Sequence, residues 1–459
     1  MELRPDSRSN DRPDSIAEGA TGRVVVVGPY LKLRSGGDGS SAPAAASRSM
    51  AARLDEAAGL ARAIDLDVQA QVLAQIGQIR PATYLGKGKV EEIDGLIRAG
   101  GADLVVMDCA LSPVQQRNLE KAWGAKVLDR TGLILEIFGR RAKTKEGALQ
   151  VELAHLNYQR SRLVRSWTHL ERQRGGFGFM GGPGETQIEA DRRLIGDRIS
   201  RLENELKKVQ ATRRLHRAGR QRVPYRVVAL VGYTNAGKST LFNRLTRADV
   251  QAADMLFATL DPTLRALTLP HGGKAMLSDT VGFISNLPTQ LVAAFRATLE
   301  EVLEADIILH VRDISHEDAE AQERDVDAVL RQLGIDPDAG ARILEVWNKI
   351  DRFDPEERNN LRNIAARRPA ERPCFLVSAV SGEGIDALLA AIEDRLAATR
   401  TTLDLSIDAS DGAGISWLHR NAEVLKKELH DGRFDMTVRV DETKRDIVMS
   451  RFDAVPRVA

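Results

Sequence analysis

Hydrophobic positions repeat in distinct ways along this chain. From Arg23 to Asp129 short apolar runs alternate with amphipathic stretches: a strand at Arg23–Val27, a helix from Met50 through Ala61, a strand at Leu66–Val72 and a turn around Pro81. A helix at Lys89–Ala99, a strand at Ala102–Met107, a helix from Ser112 to Trp123 and a strand at Lys126–Asp129 follow. This alternation predicts a small α/β domain over 23–130, its sheet carrying parallel pairs and covering helices. Between Thr131 and Arg174 the apolar residues Leu133, Ile137, Leu149, Leu153, Leu156 and Leu163 fall at helical spacing. Ile188, Leu194, Ile195, Ile199, Leu202, Leu206 and Val209 do the same from Glu185 to about Gly219. Two long helices joined by a loop at 174–185 predict an antiparallel hairpin over 131–222.

From Tyr225 onward the α/β pattern returns and continues to about Leu396, predicting a third domain over 223–398. The remainder, 399–459, reads as a small α+β domain: a strand at Asp404–Asp408, a helix at Ser416–Leu429, and strands at Met436–Val440 and Asp446–Ser450. Residues 1–22 are polar and predict a disordered tail, and the Gly-, Ser- and Ala-rich stretch Ser35–Ser49 predicts a loop.

Composition narrows the class. Cys109 and Cys374 are the two cysteines of 459 residues, too few for a disulfide framework, which points to a reducing cytoplasm. No charged-then-apolar signal pattern opens the chain, and no window approaches the eighteen or so apolar residues of a membrane span, so a soluble cytoplasmic protein is expected.

The chemistry centres on Tyr225–Thr246. Val227–Val231 reads as a buried parallel strand, Gly232, Tyr233, Thr234, Asn235, Ala236, Gly237, Lys238 and Ser239 form G-x-x-x-x-G-K-S, and Leu241, Phe242 and Leu245 follow at helical spacing. In such a loop, backbone N–H groups and the helix N-terminus face phosphates, the lysine reaches the β- and γ-phosphates, and the serine hydroxyl ligates Mg²⁺. Further pieces of a GTPase follow in order. Phe257, Ala258, Thr259, Leu260 and Asp261 open the stretch FATLDPT, which runs to Thr263 and supplies hydroxyls, with Thr259 placed to complete the Mg²⁺ shell and sense the γ-phosphate. Asp279, Thr280, Val281 and Gly282 form D-x-x-G, where the aspartate holds the metal through water and the glycine N–H bonds the γ-phosphate. Asn348, Lys349, Ile350 and Asp351 form N-K-x-D, whose carboxylate accepts from guanine N1–H and N2–H₂ together, a donor pair that adenine lacks. Ser378, Ala379 and Val380 follow another strand, where a backbone N–H can donate to guanine O6. Lys238, Thr259 and Gly282 are the expected catalytic groups. Together these pieces predict a Ras-like P-loop GTPase domain. A second Gly-Lys stretch, Thr83–Ile93, lacks the full spacing and is either a second anion site or an ordinary helix start.

Charge is balanced overall, 66 Lys plus Arg against 65 Asp plus Glu, but not evenly spread. Arg192, Arg193 and ten further cations between 192 and 226 face only Asp197, Glu203 and Glu205, too few carboxylates to pair them, which favours a polyanionic partner over a solvated face. The joining loop places Phe177, Phe179 and Met180 beside Arg174 among six glycines, a combination suited to unstacked RNA bases.

The Gly-Lys stretch at Tyr84–Lys89, the run from Arg130 to Leu163, the loop from Gly175 to Arg193, and GYTNAGKST, FATLD and DTVGF resemble the HflX family of translation-factor-related GTPases, over about Val24 to Leu396. The resemblance implies a factor that binds GTP and GDP, engages the large ribosomal subunit and its ribosomal RNA through the Gly-rich loop, and helps split stalled or idle ribosomes under stress; a monomer is expected. A rival reading is a nucleotide-regulated RNA-binding scaffold or remodelling factor. Where many GTPases place a water-orienting Gln after D-x-x-G, this chain has Phe283, which can neither donate nor accept a hydrogen bond. Slow intrinsic hydrolysis, stimulated by the large subunit, is expected; the ring can equally pack the switch against the core.

Overall fold

The computed structural model describes residues 22–32, 48–171, 187–220, 226–247, 256–257, 259–260, 263–285, 296–338, 342–369, 372–398, 400–452 and 454–456. The expected tail at 1–22 lies almost wholly outside this set, and the loop at 174–185, with Arg174, Phe177, Phe179 and Met180, lies wholly outside it, as do Ala258 and Asp261. The chain divides into two compact units, Met1–Leu206 with Ala253–Asp261 and Asn286–Phe295, and Lys207–Ala252 with Pro262–Ser285 and Arg296–Ala459.

The first unit begins β1 (Arg23–Leu31), α1 (Met50–Arg62), β2 (Asp67–Ile76), α2 (Lys87–Gly100), β3 (Leu104–Met107), α3 (Pro113–Trp123) and β4 (Lys126–Asp129). These strands form a parallel sheet in the order β2-β1-β3-β4. Val24 to Val27 are fully buried, as a strand covered on both faces requires. Polar groups gather at the strand ends: Tyr30 Oη donates to Asp108 at 2.7 Å, and Arg130 pairs with both Asp108 and Glu56. Cys109 is half-buried there, and burial pushes its thiol pKa far up.

The expected single helix from Thr131 is two, α4 (Arg130–Arg141) and α5 (Lys145–Glu171). Ala142 turns extended, and Thr144 caps the new start by accepting from the Gly147 N–H at 3.0 Å; Ser/Thr caps of this kind begin helices. The next helix, α6 (Gln187–Arg220), joins α5 through an Arg198–Glu152 ion pair at 2.7 Å. Its Ile199 and Leu202 are buried, but Leu194, expected in the apolar seam, is exposed.

The second unit continues with β5 (Arg226–Gly232), α7 (Lys238–Thr246), β6 (Thr263–Thr268), β7 (Lys274–Asp279), α8 (Arg296–Glu304), β8 (Ile307–Asp313), α9 (Ala319–Gln332), β9 (Ile343–Asn348), α10 (Pro355–Ala366), β10 (Cys374–Leu376) and α11 (Ile385–Ala398). The sheet order is β10-β9-β8-β5-β7-β6, parallel except for β6. One set of strand positions, with Val228, Leu230, Leu277, Leu309 and Val346, builds an apolar core with Leu241 and Phe242 of α7 and Leu388 and Ile392 of α11. Among the alternate positions three are polar and buried, His310, Arg312 and Glu345, with Arg312 and Arg372 both paired to Glu345. Burial holds the His310 ring neutral, its pKa pushed down to about 3. Cys374 is also half-buried, with its thiol pKa raised by burial.

The chain ends with β11 (Arg400–Asp408), α12 (Gly412–Asn421), β12 (Glu423–His430), β13 (Arg433–Asp441), α13 (Glu442–Phe452) and β14 (Val455–Pro456), in an antiparallel sheet ordered β12-β13-β11-β14. Two expectations fail here. The second half of the expected helix Ser416–Leu429 is β12, because pairing with β13 overrides the helical spacing of Leu425 and Leu429, both exposed. The expected strand Asp446–Ser450 is helix α13, which buries Val448 and Phe452 one turn apart.

Candidate nucleotide site

The site forms at the carboxyl ends of β5, β7 and β9, where open α/β sheets place ligands. β5 is buried between neighbours β7 and β8 and delivers the chain into the turn 233–237, after which α7 begins. Gly237 has φ +90°, and a Cβ there would stand 2.2 Å from Asn348 Nδ2; one at Gly232 would stand 2.1 Å from the Val311 carbonyl oxygen. Only glycine fits either position.

Lys238 is buried, and its Nζ donates to the carbonyls of Gly232 at 3.1 Å and Tyr233 at 2.8 Å. Burial lowers its pKa to about 8, although the Asp279 carboxylate opposes the shift. The Ser239 hydroxyl donates to Asp279 Oδ2 at 2.7 Å, so two of the expected metal-side oxygens converge beside the loop. Thr280 Oγ1 donates to the Leu230 carbonyl at 2.5 Å, and Val281 is buried. Gly282 lies against the lysine: a Cβ there would be 3.0 Å from Lys238 Nζ. Phe283 bonds the loop through its backbone, with its N–H to the Gly232 carbonyl at 3.1 Å and its carbonyl accepting from Thr234 N–H at 2.8 Å. Its ring is 2% exposed, which bears out the packing role considered for it.

The base-recognition motifs meet at Asn348. Its Nδ2 donates to the Ala236 carbonyl at 2.8 Å and its Oδ1 accepts from Ala379 N–H at 3.0 Å, so one buried amide bridges the phosphate loop and the Ser378–Val380 turn. Lys349 pairs with Asp313 at 2.7 Å, and Asp351 Oδ1 accepts from Ser378 Oγ at 2.6 Å. Ile350 is buried, while Val380 is 70% exposed at the tip of its turn. Thus Gly232–Ser239, Asp279–Gly282, Asn348–Asp351 and Ser378–Val380 come together in the second unit. Phe257, Thr259 and Leu260 group with the first unit, where Phe257 packs edge-on against Phe138 of α4, ring centroids 4.8 Å apart. Arg192 and Arg193 are exposed on α6.

One contributor carries no motif signal. Arg244, on the last turn of α7, donates from Nε to the Ala379 carbonyl at 3.1 Å and from Nη2 to the Val380 carbonyl. No sequence spacing marks it, because its partners are carbonyls 135 and 136 positions away.

Residues 51–139 match the family described as GTP-binding GTPase N-terminal, 141–220 the GTP-binding GTPase Middle Region, 227–349 the 50S ribosome-binding GTPase and 363–458 the HflX C-terminal domain. GTPase HflX of Magnetococcus marinus is 51% identical over 389 residues, 85% of this chain and 87% of that protein. The chain belongs to the HflX family. GTPase HflX of Escherichia coli K12 is 44% identical over 368 residues, 78% of this chain and 83% of its own length. The solved complex of SsGBP and GDP shares 22% identity at a TM-score of 0.47, covering 81% of this chain and 98% of that one. Like its HflX relatives, then, this is a GTP-binding, GTP-hydrolysing enzyme with an α/β P-loop GTPase fold. Among the described residues no helix is long and apolar enough to cross a membrane.

Proposed function

We propose that this HflX-family GTPase is a cytoplasmic, monomeric switch that binds the large ribosomal subunit in its GTP state and separates stalled or idle ribosomes. The observation that carries the reading is the assembled guanine site, with Asn348 coupling phosphate loop to base loop, in a region matching the 50S ribosome-binding GTPase family. Lys238, released from the two loop carbonyls, neutralises the β- and γ-phosphates; the Gly282 N–H meets the γ-phosphate; Asp351 selects guanine. Ser239 and Asp279 fit a hard, oxygen-seeking cation, since their oxygens already lie 2.7 Å apart. They would hold Mg²⁺, which when bound offsets charge on the phosphates.

Phe283 is buried and has no polar atom to orient water, so hydrolysis by the isolated protein is slow and ribosomal contact supplies the missing order. The exposed Arg192 and Arg193 of α6 and the aromatic loop before it supply the contact with ribosomal RNA.

Cosedimentation with purified large subunits tests this. Binding should be at least tenfold tighter with a non-hydrolysable GTP analogue than with GDP, and subunits should speed hydrolysis by at least tenfold. Equal binding in both nucleotide states would instead favour an RNA scaffold, and fast hydrolysis unaffected by ribosomes would defeat the switch.

A further inference from the structure

We infer that Arg244 is a positioning residue for guanine, tying the phosphate-binding helix to the loop that meets the base. The inference rests on the guanine site described above and adds to it a residue outside its motifs. The loop from Ser378 to Gly384 folds tightly on itself: Ser378 N–H donates to the Glu383 carbonyl at 2.9 Å, Gly382 N–H to the Ser378 carbonyl at 2.8 Å and Ser381 N–H to Ser378 Oγ at 3.0 Å. These bonds set the curvature of the turn but not its position relative to α7. Asp351 holds the Ser378 hydroxyl and Arg358 and Arg362 pair with Glu383 at the base of the loop, and two further attachments hold the stretch between. Ala379 N–H is held by Asn348, and the Ala379 and Val380 carbonyls by the Arg244 guanidinium.

Arginine suits this task because its planar fork meets two acceptors at once, which a lysine ammonium on a flexible stem does not reproduce. The clamp starts six residues beyond Lys238, on the same short helix. A phosphate pulling on the start of α7 therefore acts on a rigid body whose far end fixes the base loop. With Val380 exposed at the tip, loss of the guanidinium leaves the loop held by Asn348, by Asp351 at Ser378 and by Arg358 and Arg362 at Glu383, none of which lies on α7. The purine O6 then meets a base loop that wanders.

Dissociation of fluorescent mant-GDP from the full-length chain, followed by stopped flow, tests the clamp. R244A should release the nucleotide about three- to tenfold faster, the scale of one or two hydrogen bonds. KM for GTP should rise by a similar factor while kcat moves less than twofold. R244K should recover part of the loss. Mant-IDP, which keeps O6 but lacks the 2-amino group, should lose as much as mant-GDP in R244A, whereas Asp351→Asn should change the ratio between them. Unchanged release in R244A, R244K no better than R244A, or unequal losses for the two nucleotides would each overturn the clamp. The folding of R244A is checked by its melting temperature, and R244K carries the test if that variant unfolds. Lys238→Ala separates the two readings: if it retains mant-GDP, the guanine site itself is wrong.

Discussion

Two stretches of this chain carry glycines followed by lysine at the start of a helix, and the structure treats them oppositely. At Gly86–Lys89, the helix α2 starts without a side-chain cap, Lys87 reaches Glu91 at 3.8 Å with its side chain 93% exposed, and Lys89 pairs with Glu92 at 2.7 Å. A Cβ on Gly86 or Gly88 would meet nothing within 4 Å. At Gly232–Ser239 the glycines are pressed against Val311 and Asn348 and the lysine is buried on loop carbonyls. A phosphate loop is thus defined by crowding from neighbouring strands and by a cation held out of water. A glycine and a lysine in sequence do not suffice. The first stretch has the geometry of an ordinary helix start whose lysines form i,i+3 and i,i+4 pairs, worth a few tenths of a kcal/mol each.

The sharpest way to break this contrast is to add a methyl group at each place. Gly237→Ala forces a Cβ into the Asn348 amide at positive φ, and should cost about 2–3 kcal/mol in urea unfolding and lower mant-GDP affinity by more than tenfold. An unchanged variant would mean that the loop is not braced by Asn348. Next comes the buried cation. Since folding lowers the Lys238 pKa to about 8, the unfolded chain holds more protons between that value and the ordinary lysine range. Stability of the nucleotide-free protein should therefore gain from this residue about 1 kcal/mol as pH rises from 7.5 to 9. The gain is read as the difference from Lys238→Met, and its absence there and in the parent alike would argue that the ammonium is solvated. The smallest effect belongs to Gly86→Ala and Lys89→Ala, which should shift stability by less than about 0.5 kcal/mol and leave nucleotide binding within twofold. A large loss in either would mark Thr83–Ile93 as a second anion site after all.

Much of this site is legible in the sequence because its contacts are local. G-x-x-x-x-G-K-S, D-x-x-G and N-K-x-D each fix a short backbone shape at a strand end. What the chain does not disclose are the long-range attachments. Asn348 reads as a brace for the base and the loop, yet that its amide joins the Ala236 carbonyl to the Ala379 N–H shows only in the fold, and Arg244 reads as an ordinary helical cation. The polar side of the central sheet is hidden for a similar reason: Ile343–Asn348 scans as a plain apolar strand, while its Glu345 lies fully buried among Arg312, Arg368 and Arg372. Errors cluster where short apolar runs have no partner in view. Asp446–Ser450 has too few residues to distinguish a strand from a helix by period, and Leu425–Leu429 follows helical spacing until β13 recruits it as the edge strand. The break between α4 and α5 was readable in principle, since Thr144 stands before Lys145 as a cap, but the continuous apolar spacing masks it.

The two native cysteines also set the terms on which motion in this molecule is observed. Cys109 and Cys374 are both partly shielded, and their surroundings disfavour the thiolate, the form that attacks alkylating dyes. Reporter thiols introduced on open surface, beside Val380 for instance, will therefore take up maleimide fluorophores well ahead of the resident pair, so that nucleotide-driven movement can be watched without first stripping the protein of its own sulfur.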